Sequence, residues 1–302
     1  MKRNKKFSFI ELNKKKPKVI SWLTSYDYPI AYAAEMAGID MILVGDSGGM
    51  VQHGFSSTIP VTMQMSLDMC NSVRRGAPST FIVGDMPFGS YEISDSEAVK
   101  NAVLMIKDGK TDSIKLEGGK RISSRVKAIS EAGVIVFGHI GLTPQSVNSF
   151  GGYRVQGKSL KSFDNLVEDA ICLEKNGASA ILLEAVPEIC SKAIRSNVSI
   201  PIFGIGAGGG IDGQLLIAHD LLGLYPNFTP RFAKNYFDDV IKNIILKKSK
   251  NTKQFLALDL YIEVFKKFDK DVKNNKFPSK EYTYPISSSD LKLIKSSKYW
   301  TE

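Results

Sequence analysis

Apolar positions in this chain come in short blocks that stop abruptly at polar residues. Met41-Ile-Leu-Val44 is wholly apolar and ends at Gly45, Asp46 and Ser47. The design recurs in Phe81-Ile-Val-Gly-Asp85, Ser113-Ile-Lys-Leu-Glu117, Val134-Ile-Val-Phe-Gly-His139 and Ala180-Ile-Leu-Leu-Glu184. Runs of this length suit strands buried on both faces, as in a parallel sheet. Residues 19–27 predict a first strand, 200–205 a seventh, and the apolar stretch 215–224 is the candidate for an eighth.

Helical patterns fill the intervals. Residues 29–37 are alanine-rich and closed by Gly38, a helix terminator. Pro60 and Thr62 open a helix running to Arg75, and Ser94 with Glu97 three residues on forms a capping box. Further helices are predicted over 120–132, 162–176 and 187–196. A loop through His53 and Thr58 follows the second strand. Residues 141–161, rich in Gly, Ser, Gln and Asn, form the longest loop, and ordered loops of that length are usually functional.

Strands alternating with helices through eight units predict an α/β fold closed as a (β/α)8 TIM barrel, with an open doubly wound sheet as the rival. Catalytic groups of a barrel sit at the carboxyl ends of several strands. Asp46, Asp85, Glu117, His139 and Glu184 occupy that place on five strands, which favours the barrel. Three segments are expected: a basic start at 1–18, the barrel at 19–248, and a helical extension with a Lys-rich tail at 249–302. A polar connector, 247–251, joins the last two. An amphipathic stretch follows over 255–268, and the tail after Lys270 either lies on the surface or docks on a neighbouring subunit.

Composition narrows the class. A 43% hydrophobic, 24% charged chain is globular in character, and no apolar run approaches the roughly 20 residues of a membrane helix. The lysines at 14–18 interrupt any secretory leader, so a cytoplasmic location is expected. The three cysteines, Cys70, Cys172 and Cys190, are far apart and without metal spacing, which fits reduced, packed thiols. The net charge of +9 sits mainly at the two ends. That pattern fits solvated surface, with weak attraction of an anionic substrate as a further use.

Asp46, Asp85, Glu117 and Glu184 at one mouth would repel one another and resist ionisation. A divalent cation resolves this, and oxygen donors without a His or Cys cluster point to Mg²⁺ or Mn²⁺ over zinc. Lys115 leaves the same strand face as Glu117, to neutralise a carboxylate or to bind an anionic substrate. His139 could orient a ligand, relay a proton or fill a polar layer. Gly204-Ile-Gly-Ala-Gly-Gly209 matches part of a dinucleotide fingerprint, but it follows the seventh strand, and the fingerprint belongs to the first unit. Close backbone approach to a ligand at the mouth is the expectation there.

Beyond single residues, a series of motifs resembles the ketopantoate hydroxymethyltransferase family. They are Thr24-Ser-Tyr-Asp-Tyr28, Val44-Gly-Asp-Ser47, Asp85-Met-Pro-Phe88, Lys115-Leu-Glu-Gly-Gly119, Gly138-His-Ile-Gly-Leu-Thr-Pro-Gln-Ser146 and Gly151-Gly-Tyr-Arg-Val-Gln-Gly157. Leu183-Glu-Ala-Val-Pro187, Gly204-Ile-Gly-Ala-Gly208 and Asp212-Gly-Gln214 continue the series. The resemblance implies a barrel like that of the phosphoenolpyruvate/pyruvate superfamily, Mg²⁺, and one-carbon transfer from 5,10-methylenetetrahydrofolate to 3-methyl-2-oxobutanoate through a Mg²⁺-stabilised enolate. It makes Asp46 and Asp85 metal ligands, with Glu117 at or near the metal. Ser47 and Lys115 hold the keto acid with Asp46 and Asp85, and Glu184 is the proton acceptor; His139 is a candidate accessory from its strand-end position, not from the resemblance. It also suggests a homo-oligomer, commonly a decamer, with small-molecule substrates and neither nucleic acid nor membrane as partner.

Two positions depart from the family. Gly48 replaces a larger apolar residue, which is expected to loosen its loop, and Tyr282 stands in the place of a His. The alternative enzyme is a Mg²⁺-dependent carbon–carbon lyase of the isocitrate-lyase or phosphoenolpyruvate-mutase kind. A nucleic-acid binder on an inert barrel is the reading from another class, tested by salt-dependent retention on DNA.

Overall fold

In the computed structural model, described over residues 8–9, 19–241 and 257–300, eight parallel strands close on themselves in sequence order. They are β1 (Ile20–Thr24), β2 (Met41–Val44), β3 (Phe81–Asp85), β4 (Ser113–Glu117), β5 (Val136–Gly141), β6 (Ala180–Glu184), β7 (Ile202–Ile205) and β8 (Gly213–Leu216). The expected (β/α)8 barrel is the fold, and the open sheet is excluded. Most of the basic start and the whole connector at 247–251 lie outside the described residues.

The helices are α1 (Tyr28–Ala37), α2 (Gly48–Val51), α3 (Met63–Gly76), α4 (Asp95–Lys107), α5 (Ser123–Glu131), α6 (Val147–Phe150), α7 (Leu160–Lys175), α8 (Glu188–Ser196), α9 (Ala218–Leu222), α10 (Ala257–Lys273) and α11 (Ser288–Ile294). Several start where a side chain takes an orphan backbone N–H. Asp27 accepts from Ile30 N, Thr62 from Met65 N, and Ser94 from Glu97 N. The longer helices bury one stripe each. On α7 the stripe is Phe163, Leu166, Val167, Ala170 and Leu173.

Register separates the inside of the barrel from the outside. Trp22 pairs with Met41, Met41 with Phe81, Lys115 with Phe137, and Phe137 with Ala180. Partners in a parallel ladder share a face, so Trp22, Phe81, Phe137 and Phe203, all from odd-numbered strands, fill the amino-terminal floor. Trp22 meets Phe137 and Phe203 edge-on at centroid distances of 5.7 and 5.5 Å. Phe9 closes the floor from below against Phe81 and Phe137. An aromatic plug at one end leaves the other free for polar side chains.

The eighth strand differs from expectation: it is Gly213–Leu216, and the apolar run continues as α9. Gly213 stands where a Cβ would come within 2.7 Å of both Ile20 O and Phe203, so the narrow seam against β1 and β7 selects glycine. Short apolar runs do not by themselves separate strand from helix. The 141–161 loop also carries more structure than expected, with a 3-10 turn at Pro144–Ser146 followed by α6.

The carboxyl-terminal segments pack on the barrel of their own chain. In α10, Val264, Phe265, Phe268 and Val272 are buried, and Asp269 accepts from Ser21 Oγ of β1 at 2.5 Å. Beyond α11, Tyr299 OH donates to Glu168 of α7 at 3.1 Å, and Trp300 packs on Phe163. The tail is thus held along α7.

Candidate active site

The polar end of the barrel is assembled by register. Asp85 pairs with Lys115, Glu117 with His139, and Gly141 with Glu184. All five chemically capable side chains of β3 to β6 therefore share the interior face. Asp46 lies two residues past β2, and its N–H donates to Asp85 Oδ2 at 3.1 Å, which brings the two aspartates together. Ser47, at the start of α2, shares a 2.8 Å hydrogen bond with Tyr26 OH. The structure thus gathers on one cavity the candidate catalytic, substrate and metal residues Asp46, Ser47, Asp85, Lys115, Glu117, His139 and Glu184.

Lys115 is the hub. Its Nζ lies 2.8 Å from Asp85 Oδ1, 3.5 Å from Glu117 Oε1 and 3.2 Å from His139 Nδ1. Burial favours a neutral amine, but Asp85, Glu117 and Asp46 outweigh it and hold the ammonium above the ordinary lysine value. His139 is pulled down by burial and by Lys115, so the ring is neutral. The hydrogen is assigned to Nε2, 3.3 Å from Glu184 Oε2, which leaves Nδ1 to accept from Lys115.

Burial pushes the carboxyl groups of Asp46, Asp85, Glu117 and Glu184 above the usual range, and at Asp46, Asp85 and Glu184 a neighbouring carboxylate adds to it. At Glu184 the His139 contact opposes the shift. Asp46, Asp85 and Glu117 are at most 4% exposed. Glu184, with 15% of its side chain exposed, is the carboxylate most open to the mouth. Ala185, next in the chain, has φ 51°, a strained conformation for a residue with a Cβ.

Gln145 ties these groups together, and the sequence reading gave it no role. Its amide donates to Asp46 Oδ2 at 2.9 Å and to Met86 O at 3.0 Å, while its backbone N–H donates to Glu117 Oε2 at 3.0 Å. Tyr91 OH donates to Gln145 Oε1 at 2.5 Å and accepts from Glu117 N. Gln145 lies within one of the family motifs, which was the available signal. Tyr91 had none, because its role arises from contacts across 26 and 54 residues of chain.

A cavity of about 290 Å³ opens over this cluster, and Ser47, Met50, Leu142, Pro144, Tyr153 and Ile205 help line it. A larger hollow, about 490 Å³, lies outside the rim beside Lys120, Arg121 and Asp169 and contains none of the four carboxylates. The first of these is the site, because the chemistry is there.

The donor set fits Mg²⁺. Four buried carboxylates face one ammonium and a neutral imidazole, an imbalance that a hard divalent cation offsets. Among the described residues, no group of three or more His, Cys, Asp or Glu side chains is arranged to hold a metal unaided.

Three expectations change. Gly48 does not loosen its loop: a Cβ there would stand 2.7 Å from both the Tyr26 ring and Met69, so those side chains fill the space. Of the glycines after β7, Gly206 and Gly208 approach protein, since a Cβ on either would strike Phe232 or Glu188, whereas Gly209 has open space beside it. Tyr282 packs on Phe277 at a centroid distance of 5.8 Å, while Tyr284 is the residue that reaches the cavity wall. None of the three cysteines lines the cavity.

Comparison with known proteins agrees with this geometry. Phosphonopyruvate hydrolase, solved in complex with oxalate and Mg²⁺, superposes with a TM-score of 0.54 at 10% identity, over 86% of this chain and 95% of that one. Oxaloacetate acetylhydrolase with 3,3-difluorooxalacetate gives 0.56 at 12% identity, over 89% and 96%. Identities this low speak for the shared barrel alone. The 3-methyl-2-oxobutanoate hydroxymethyltransferase of Alkaliphilus metalliredigens is 44% identical over 93% of this chain and 94% of its own length. That of Thermosipho melanesiensis is 45% identical over 90% and 95%. A sequence model of ketopantoate hydroxymethyltransferase matches residues 5–280, and with that span of agreement the chain belongs to the ketopantoate hydroxymethyltransferase family.

Proposed function

We propose that this chain transfers a hydroxymethyl group from 5,10-methylenetetrahydrofolate to 3-methyl-2-oxobutanoate, giving 2-dehydropantoate for pantothenate and coenzyme A synthesis. The observation that carries the reading is the meeting of Asp46, Asp85, Lys115, Glu117 and Glu184 on one cavity. Its support from relatives is the family membership and the names of the 44–45% identical proteins.

Asp46 and Asp85 would hold Mg²⁺, with Glu117 beside them. Bound there, the ion supplies a Lewis acid that polarises the substrate carbonyl and acidifies its C3 proton. Ser47 and Lys115 bind and orient the keto acid, Lys115 balancing its carboxylate. Glu184 takes the C3 proton, a role for which its open position and lifted affinity for protons suit it. His139 steadies the ionised form of Glu184. The C3 electron pair then bonds to the methylene carbon of the donor as one of its two C–N bonds to folate breaks. The second C–N bond is replaced by the oxygen of water, and the C3 proton and a proton from that water go to the two freed nitrogens, releasing tetrahydrofolate and product.

The test is a half-reaction. Incubated with 3-methyl-2-oxobutanoate and Mg²⁺ in D₂O without folate, the protein should exchange the C3 hydrogen, as followed by NMR. Product should appear only on adding methylenetetrahydrofolate. Absence of exchange would overturn the assignment.

We further infer a homo-oligomer, a decamer by resemblance to the family, with light scattering giving the mass. The free state of Cys70, Cys172 and Cys190 supports a cytoplasmic setting. No helix among the described residues is long and apolar enough to cross a membrane.

A further inference from the structure

The groups assigned to the keto acid come from the ends of β2, β3, β4 and β6. In the closed ring β8 stands opposite β4. The wall facing Lys115 and Glu117 is therefore built by the segment that follows β8, and the segment after β2 runs on past Asp46 and Ser47 to Thr58. Those segments contribute Thr58 and Asp220 to the same cavity. Both are buried, at 2% and 6% exposure, yet neither Thr58 Oγ1 nor Asp220 Oδ2 has a hydrogen-bond partner among the described residues. Buried polar atoms are ordinarily paired, so two unpaired ones on a cavity wall mark where the polar edge of a ligand belongs.

The rim above them is aromatic. Tyr153 and Phe228 line the cavity while 54% and 65% exposed, and Tyr225 and Tyr284 stand beside them. Amphipathic rings grouped around a cavity suit a flat, partly polar partner. Tyr26 links the two sides. Its hydroxyl meets Ser47 at 2.8 Å, and its ring lies 5.4 Å from that of His219, the neighbour of Asp220 in sequence.

We propose that this wall binds the 2-amino-4-oxo heterocycle of the folate donor, an inference that rests on the donor assigned above. Asp220 accepts the two parallel N–H groups of the ring's amidine edge, a match of the kind made by a carboxylate and a guanidinium. Thr58 meets a second polar position of the ring, and the rim aromatics cover its face. The arrangement brings the donor's methylene carbon to the keto acid from the side opposite Lys115 and Glu117.

Tetrahydrofolate binding by calorimetry, together with the folate-free deuterium exchange, tests it on the full chain. Asp220→Asn should weaken tetrahydrofolate by about tenfold or more, the loss of a charged hydrogen-bond partner, and Thr58→Val by a few-fold, with exchange rates within about twofold of the parent. Unchanged affinity in Asp220→Asn overturns the proposal. If Asp220→Asn loses exchange as well, Thr58→Val decides: weaker binding with exchange intact supports the site, and unchanged binding overturns it. A parent protein that binds tetrahydrofolate but fails to exchange would instead sink the keto-acid assignment and leave this wall standing.

Discussion

At the scale of single residues, the site turns on how one carboxylate is kept both basic and ionisable. Burial lifts Glu184 above the ordinary carboxylate range, and the His139 contact pulls it back. A base must be ionised to act, so kcat/KM should rise as pH climbs through that lifted value and fall below it. Removing the imidazole in His139→Leu removes the opposing influence, and the acid limb should move to higher pH. A limb that stays in place or moves down counts against the contact. Glu184→Gln keeps the shape and abolishes the base. Turnover should fall by roughly 10²–10⁴-fold, while the keto acid still binds, as measured by calorimetry. Most of these residues were visible in the sequence because each ends an apolar run. Gln145, Tyr91 and Asp220 were not, since their roles depend on what faces them across the fold.

Among the elements, strand ends do the positioning. Gly141 closes β5 at φ 94°, where a Cβ would lie 2.3 Å from the carbonyl oxygen of Glu184. Only glycine allows β5 and β6 to approach this closely at the level of the proposed base. Gly141→Ala should cost about 1–3 kcal/mol or more, seen as a lowered denaturation midpoint, with a larger loss of exchange rate as the end of β6 is displaced. An unaltered midpoint would mean that the strand ends yield. Helix boundaries were legible where a cap marks them, as at Thr62 and Ser94. The eighth strand was misplaced because its defining residue, Gly213, is chosen by the neighbouring strands and carries no apolar signal.

For the whole molecule, closure of the sheet is the decisive event. Four carboxylates scattered over some 140 residues of chain meet because β1 and β8 pair and complete the ring. The tail that follows is fastened to the outer face of α7, with Ile294 fully buried and Trp300 on Phe163. Truncation after residue 286 should lower Tm by roughly 5–10 °C, the equivalent of losing a buried aliphatic and an aromatic contact. Deuterium exchange at the site should persist, because α7 turns its other face to the barrel; its loss would show that the tail supports catalysis as well. The sequence by itself determined the strand–helix alternation, the barrel and the acidic strand ends, since local burial imposes its period on the order of residues. Tertiary structure alone decided which carboxylate stays open, which groups His139 faces and which wall is left with unpaired polar atoms. Those depend on distances between segments far apart in the chain, and no local pattern records such distances.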